Sequence, residues 1–275
     1  MSQMNWDREV DVLVVGTGNG GLTAAVCNWE MGTKDVLIIE KQDKVGGTSA
    51  TSGGGIWIPN SHYAKEAGAE DNPQDARAYL MNTLFGEDVP EEMIDIYLEK
   101  SPEMLKFLHD RTDVRYESLA EYPDYYTNME GARAGHRSLE PAPIMASELG
   151  ENWKNMTWTH FMMRMFNRIH FTQVEAHLLM VQLPGWKKLL ARLMWDYIRD
   201  IPWRLKTPIS RRLACGSAGI ARLYLSVLKR EIPLEFNTKM VELIAEGDTV
   251  LGAVIECNGQ RQRVRAVKGV IVASG

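Results

Sequence analysis

Apolar positions along the chain follow two rhythms. Val10-Asp11-Val12-Leu13-Val14-Val15 is a short, β-branched run bounded by polar residues and glycine, which predicts a buried parallel strand. Leu22, Ala25, Val26 and Trp29 then recur at helical spacing until Gly32, and Val36-Leu37-Ile38-Ile39-Glu40 reads as a second buried strand. Residues 10–40 thus spell one βαβ unit, with the right-handed crossover such units adopt. From Pro73 to Arg111 the spacing is helical, through Ala76, Tyr79, Leu80 and Leu84, then Met93, Ile94, Tyr97 and Leu98, then Met104, Leu105 and Leu108. Residues 113–150 hold several prolines and glycines and little periodicity, and read as a long ordered loop. Residues 153–206 read as helical and rich in Trp and Met, and Ala218 to Arg230 as another helix. Short strands are expected at 234–236, 241–245, 250–256, 262–266 and 270–273, with Gly247-Asp248 and Asn258-Gly259 where hairpin turns belong. Neither an internal repeat nor a flexible linker is visible.

Charge and composition narrow the classes. The chain of 275 residues has a net charge of −5 and no run of Lys and Arg, so it lacks the basic footprint of a nucleic-acid binder. No stretch approaches the ~20 apolar residues of a spanning helix. Met1 to Glu9 is polar and has no signal-peptide core. Cys27, Cys215 and Cys257 are too scattered for a disulfide framework, and His160, His170 and His177 lack acidic or cysteine partners at ligand spacing, so no metal site is read. These features point to a reduced, cytoplasmic compartment. The last residues, Gly269-Val270-Ile271-Val272-Ala273-Ser274-Gly275, read as a buried strand entering a glycine turn. The expectation is a sequence cut before the protein is complete.

The chemistry lies in the turn after the first strand. Gly16-Thr17-Gly18-Asn19-Gly20-Gly21 fits G-x-G-x-x-G, follows a strand, opens a helix and is followed by an acid, Glu40, at the end of the next strand. Gly16 allows the tight turn, Gly18 lets a pyrophosphate approach the backbone, and Gly21 allows close helix–strand packing. The helix start offers N–H groups and partial positive charge to phosphate, and Glu40 can accept from ribose hydroxyls. The fingerprint alone leaves FAD and NAD open. The segment after Glu40 favours FAD: Lys41 leads into Gly46-Gly47-Thr48-Ser49 and Ser52-Gly53-Gly54-Gly55, two clusters offering N–H groups and hydroxyls along an extended ligand. The candidate cofactor contacts are therefore Gly16, Gly18, Asn19, Gly20, Gly21, Glu40, Lys41, Gly47, Thr48, Ser49, Ser52, Gly53, Gly54 and Gly55, with Val241 from a later strand.

Residues 46–59, Gly-Gly-Thr-Ser-Ala-Thr-Ser-Gly-Gly-Gly-Ile-Trp-Ile-Pro, resemble the flavin loop of the 3-oxosteroid 1-dehydrogenases, within the fumarate reductase and succinate dehydrogenase flavoprotein superfamily. Tyr122-Pro-Asp-Tyr-Tyr126 with Gly131 to Pro141, Pro202 to Thr207 with Arg211-Arg212-Leu213, and Gly259 to Gly275 extend the resemblance over nearly the whole chain. Cys215 stands where the family pattern has a glycine. The resemblance implies an α/β, Rossmann-like FAD-binding domain of the glutathione-reductase type, doubly wound, with the catalytic domain missing. The chain 1–275 would be its N-terminal segment, with nucleotide fold at 1–60 and 205–275 and a helical and loop insertion at 61–204. It implies FAD held non-covalently, and no histidine lies between Glu40 and Asn60 to bond the flavin. It implies removal of the C1 and C2 hydrogens of a 3-ketosteroid, with hydride to flavin N5 and the proton to a tyrosine, and a separate electron acceptor as partner. One supporting tyrosine maps here, to Tyr125 or, failing that, Tyr126; the base tyrosine lies in the part not present.

Two other readings stay open: a reductase of an activated double bond in a fumarate-like acid, and a flavin-binding fragment without turnover. The Trp- and Met-rich stretch from Trp153 to Trp203 reads as a helical core, with a steroid entrance or a peripheral membrane contact as the alternative.

Overall fold

The computed structural model describes residues 5–275. Met1 to Met4, the start of the polar N-terminus, lie outside the described residues. Strand β1 (Arg8–Val15), helix α1 (Asn19–Glu30) and strand β2 (Val36–Ile39) form the βαβ unit, with Val12–Val15 running parallel to Val36–Ile39. Every residue of β2 is buried, as an unbroken apolar run in a parallel strand requires.

The chain then leaves the sheet. It makes α2 (Gly47–Thr51), β3 (Ile56–Trp57), α3 (His62–Glu66), α4 (Pro73–Asn82) and α5 (Glu91–Arg111). The helical pattern of 73–111 is thus two helices. Asn72 caps the first by accepting from the Gln74 N–H at 2.9 Å, and Phe85 and Gly86 after it take left-handed backbone with φ of 50° and 88°. The segment expected to be a loop contains β4 (Tyr116–Ser118), β5 (Ser138–Pro141) and β6 (Ile144–Met145), and β5 pairs between β3 and β4 in an antiparallel sheet. Strands this short carry no legible alternation. The expected helical stretch at 153–206 also needs correction. A 3-10 segment covers Ala146–Asn155, and β7 (Arg164–Met165) and β8 (Ile169–His170) form a small hairpin whose turn residues Phe166 and Asn167 both have positive φ. Only from Gln173 is the chain helical, in α6 (Gln173–Val181), α7 (Trp186–Arg199) and α8 (Ile201–Arg204).

Strand β9 (Arg212–Leu213) pairs with β6 and leads into α9 (Cys215–Lys229), then β10 (Leu234–Glu235), β11 (Thr238–Glu246), β12 (Thr249–Cys257) and β13 (Gln260–Val272). The main sheet has the order β10-β2-β1-β13-β12-β11, parallel from β10 to β13 and antiparallel from β13 to β11. The two strands expected at 262–266 and 270–273 are one. A bulge opposite Asp11 absorbs one extra residue before Gly269, so the strand passes from pairing with β12 to pairing with β1.

The two faces of the sheet are covered differently. Val12, Val14, Val36 and Ile38 pack with α1 and the nearly wholly buried α9. Leu13, Val15, Leu37 and Ile39 pack against Ala253, Ile255 and Val264, so a β-meander curls over the second face where a doubly wound sheet would carry helices. Among the described residues no helix is long and apolar enough to cross a membrane.

Candidate FAD site

At the carboxyl ends of β1 and β2 a cleft of about 810 Å³ opens, which is where α/β sheets place their ligands. Its floor is the glycine turn. Gly16 has φ +104°, and a Cβ there would sit 2.4 Å from the Ala273 carbonyl oxygen, so only glycine lets β1 turn against the chain leaving β13. A Cβ on Gly21 would lie 2.0 Å from the Gly16 carbonyl, which ties that glycine to helix–strand packing. Gly18 is different. Its backbone (φ −68°) suits any residue, and a Cβ would meet only Ser49 Oγ, at 3.2 Å. The internal fold hardly needs glycine there; a group approaching from the cleft does. The first N–H groups of α1, which have no intrahelical acceptor, open on the same cleft.

Thr17 joins the parts. It is buried, and its N–H and hydroxyl both donate to Glu40 Oε2, at 3.1 and 2.5 Å, while its Oγ1 accepts from Gly46 N–H at 3.0 Å. The Gln42 N–H donates to Glu40 Oε1 at 3.0 Å. A carboxylate has about four acceptor positions. Three are taken inside the protein, leaving roughly one for a ribose hydroxyl on this fixed acid. A second stitch joins the glycine segments, from Asn19 N–H to Ser49 Oγ at 3.1 Å. Thr17 occupies an unspecified position of the fingerprint, so only its hydroxyl beside a buried acid could have singled it out.

The sequence candidates divide into groups. Gly16, Gly18, Asn19, Gly20, Glu40 and Lys41 line the cleft, as do Gly47, Thr48 and Ser49 from the start of α2. Ser52 and Gly54 lie just beyond, where the loop meets α9. A Cβ on Gly54 would be 2.7 Å from Gly216 N, and one on Gly216 would be 2.2 Å from Ser49 O, so the two backbones touch. Gly53 accepts a hydrogen bond from Gln173 Nε2 through its carbonyl, at 3.3 Å. Gly55 lines a different hollow. Val241 follows Met240, which lines the cleft, but does not itself line it. Residues not singled out from sequence also contribute: Thr238, Lys239 and Met240 at the start of β11, and Ala273 to Gly275 after β13. Their signal is positional, since β13 is the parallel neighbour of β1 and ends at the same edge.

Cys215, at the position where a glycine was expected, opens α9 with φ +56°. Its thiol is buried against the Phe171 carbonyl, 3.3 Å away, and burial pushes it up to about 12, with Glu140 adding to the rise.

The second hollow, about 380 Å³, is lined by Gly55, Trp57, Tyr79 and the tyrosine loop Tyr122 to Tyr126. Tyr125 stands at its rim, 84% exposed, and Tyr126 packs edge-on to Phe85 at 5.0 Å. The Tyr122 phenol is pushed up by its hydrogen bond with Tyr125 and then by burial. The loop is anchored beneath. Arg137, 1% exposed, donates twice to Asp71 and once to Asp124, all at 2.9 Å, and Asp124 accepts from Trp57 Nε1 at 2.7 Å.

A strand–glycine turn–helix start, a buried acid on the next strand and an open glycine facing the cleft fit a dinucleotide, and with the glycine-serine segment beside them define a flavin-nucleotide-binding protein. The model of the FAD binding domain family matches residues 11–275, and the chain belongs to that family. It is 32% identical over 276 residues to a 3-oxosteroid 1-dehydrogenase of Comamonas testosteroni, covering 98% of this chain and 47% of the relative. It is 30% identical over 271 residues to a 4-oxocyclohexanecarboxylate 2-dehydrogenase of Sinomonas cyclohexanicum, covering 96% of this chain and 43% of the relative. The solved 3-ketosteroid delta1-dehydrogenase of Sterolibacterium denitrificans superposes with a TM-score of 0.92 at 35% identity, over 98% of this chain and 48% of that one. The chain spans about half the length of the curated relatives it matches.

Proposed function

We propose that the protein carrying this chain is an FAD-dependent dehydrogenase that removes the C1 and C2 hydrogens of a 3-oxosteroid, and that this segment holds the FAD without a covalent bond. When bound, FAD supplies the hydride acceptor. The chain's residues do the rest of the holding. The N–H groups at the start of α1 face the diphosphate across Gly18, Glu40 takes a ribose hydroxyl, and Thr17 keeps that carboxylate aimed. The backbone contact between Gly54 and Gly216 fixes the course of the loop from the cleft to the second hollow. Tyr125 sits there as a positioning residue for substrate chemistry, held by the Asp124–Arg137–Asp71 anchor below. In this reading the nucleotide fold consists of 1–60 and 205–275, with 61–204 inserted.

One observation supports the proposal: a single segment lines the nucleotide cleft at Gly47–Thr51 and, a few residues on, the tyrosine hollow at Gly55–Trp57, so the loop beside the nucleotide is also the wall of the tyrosine hollow. The 35% identity to a ketosteroid dehydrogenase of the same fold supports the substrate class. A reductase of a fumarate-like acid is the weaker reading, because the curated relatives named above are dehydrogenases of oxo-bearing rings. The test is reduction of an artificial electron acceptor by the FAD-loaded protein given a Δ4-3-oxosteroid or, in a second arm, 4-oxocyclohexanecarboxylate. Turnover with the steroid is expected. FAD-loaded protein inert toward every 3-oxosteroid tried would end the substrate assignment and leave the cofactor assignment standing.

A further inference from the structure

The glycine-serine loop has one peptide unit whose direction its own sequence cannot set. Between Gly53 and Gly54 no Cβ stands on either side to limit rotation. The Gly54 N–H donates to Ser52 Oγ at 3.0 Å, and that hydroxyl donates its own proton to the Ser49 carbonyl at 2.8 Å. The Gly53 carbonyl, at the other end of the same unit, accepts from Gln173 Nε2 at 3.3 Å. A carbonyl only accepts, so the nitrogen of the amide must face it. Gln173 is the first residue of α6 and lines the tyrosine hollow beside Gly55 and Trp57.

Gln173 is itself held from outside its helix. Glu140 on β5 is fully buried, and its two oxygens accept from the Gln173 and Val174 N–H groups at 2.6 and 3.4 Å. These are donors that the start of a helix leaves without intrahelical acceptors, and the helix dipole favours a carboxylate there. A capping box closes the same turn: Thr172 Oγ1 accepts from the Glu175 N–H at 3.1 Å, and Glu175 Oε2 accepts from the Thr172 N–H at 3.0 Å. Space is restricted as well. A Cβ on Gly55 would stand 3.1 Å from Gln173 Nε2, and one on Gly53 would stand 3.5 Å from Met163 Cε. Strand β5 also pairs Leu139 with Ile56, so the acid and the exit of the loop share one small sheet. A buried carboxylate, the first turn of α6 and one amide thus run in series to the loop.

We propose that Gln173 is a positioning residue for the bound flavin: held by Glu140, it fixes the orientation of the Gly53–Gly54 peptide, and with it the path of the loop between the nucleotide cleft and the tyrosine hollow. This rests on the reading of that loop as the flavin loop. Helix α6 thereby acts on the cofactor through the loop, although none of its residues lines the nucleotide cleft.

Two measurements test it. Amide hydrogen exchange across residues 52–57 of the FAD-free protein, followed by mass spectrometry, reads the hold on the peptide, and titration with FAD reads its consequence. Gln173→Met keeps the length of the side chain and removes the donor. Exchange in the segment should quicken, and the FAD Kd should rise, each by about fivefold, the factor that one net hydrogen bond corresponds to. Gly55→Ala should move both in the same direction, because its methyl presses on an amide that is still present. Gln173→Lys can donate again and should recover part of both. The melting temperature of the FAD-free variants, which a general loss of packing would lower, should stay within about 4 °C of the parent. Unchanged exchange in Gln173→Met would overturn the hold itself. Faster exchange with unchanged FAD affinity would also overturn the proposal, since the amide would then serve the fold and not the cofactor. A parent that takes up no FAD would instead remove the flavin reading, and this inference with it.

Discussion

At the scale of single residues, the glycines of the fingerprint do different work, and substitution can separate it. Gly16→Ala forces a side chain into left-handed backbone and 2.4 Å from the Ala273 carbonyl, so a stability loss of about 2 kcal/mol or more is expected in urea denaturation. Gly18→Ala meets only Ser49 Oγ and has ordinary backbone angles. The fold should change by under about 1 kcal/mol, while FAD affinity falls by at least about tenfold, because in the proposed binding mode the added methyl would stand where the phosphates approach. Titration of the apoprotein with FAD, followed by flavin absorbance, checks it. If Gly18→Ala binds FAD as tightly as the parent, the diphosphate does not lie on that turn. Cys215 carries a related lesson. Its φ of +56° lies in the left-handed region that favours glycine, the residue that the resemblance leads one to expect there. The buried contact of its sulfur with the Phe171 carbonyl accompanies it there.

At the scale of elements, legibility tracked the length and regularity of each segment. The β1–α1–β2 unit could be read because its strands are unbroken apolar runs and its turn is constrained at several positions at once. The meander was legible from its turn residues, Gly247 and Asn258-Gly259, all with positive φ, but not the union of two strands through the bulge at Gly269. Residues 113–172 depart from the pattern-based expectation in both directions. Two-residue strands have no period, and Trp and Met at apparent helical spacing between 153 and 172 in fact lie on 3-10 turns, a hairpin and the irregular residues between them. Tertiary contacts decide such segments. The tyrosine loop shows how: local pattern says nothing of Arg137, yet that one buried cation ties Asp71, Asp124 and, through Asp124, Trp57 together. Arg137→Leu would leave Asp124 without its cation and Asp71 with only Arg133, 3.5 Å away, and should cost about 3–5 kcal/mol in denaturant unfolding. Asp124→Asn removes the charge and turns a donor toward Trp57 Nε1 or toward Arg137, but leaves Arg137 paired with Asp71, so a smaller loss of about 1–3 kcal/mol is expected. Equal losses for the two would place the whole anchor on the Asp124–Arg137 pair, with nothing added by Asp71.

At the scale of the whole molecule, stability should depend on pH through His170 in the β7–β8 hairpin. The Ser210 hydroxyl donates to the Arg212 carbonyl at 2.9 Å and lies 3.1 Å from both the His170 N–H and Nδ1. With its own proton used, Ser210 accepts from both, so Nδ1 carries the imidazole proton and the buried Nε2 has no partner. Charging the ring would place a proton on that nitrogen, away from water and near two guanidinium groups. Burial, then Arg164 and Arg212, accordingly push His170 down to about 3. The sign comes from proton counting. Below the ordinary histidine value, near 6.5, the unfolded chain takes up a proton that the folded chain refuses, so the stabilisation present above that value is lost as pH falls toward 3. The slope approaches about 1.4 kcal/mol per pH unit for this one group. Asp71 is also lost in acid: burial raises it, but the hydrogen bond and charge of Arg137 outweigh that and hold it below the usual carboxylate range, so it acts at lower pH than the window between 6.5 and 5. His62, pushed down by burial and by His109, acts in the same window as His170. Urea unfolding of the parent across that window should therefore show stability falling with pH, and His170→Leu should show a shallower fall, because only His62 remains of the pair. A parent whose stability is flat from pH 6.5 to 5 would mean that water reaches Nε2 and that the hairpin does not seal His170 into the core.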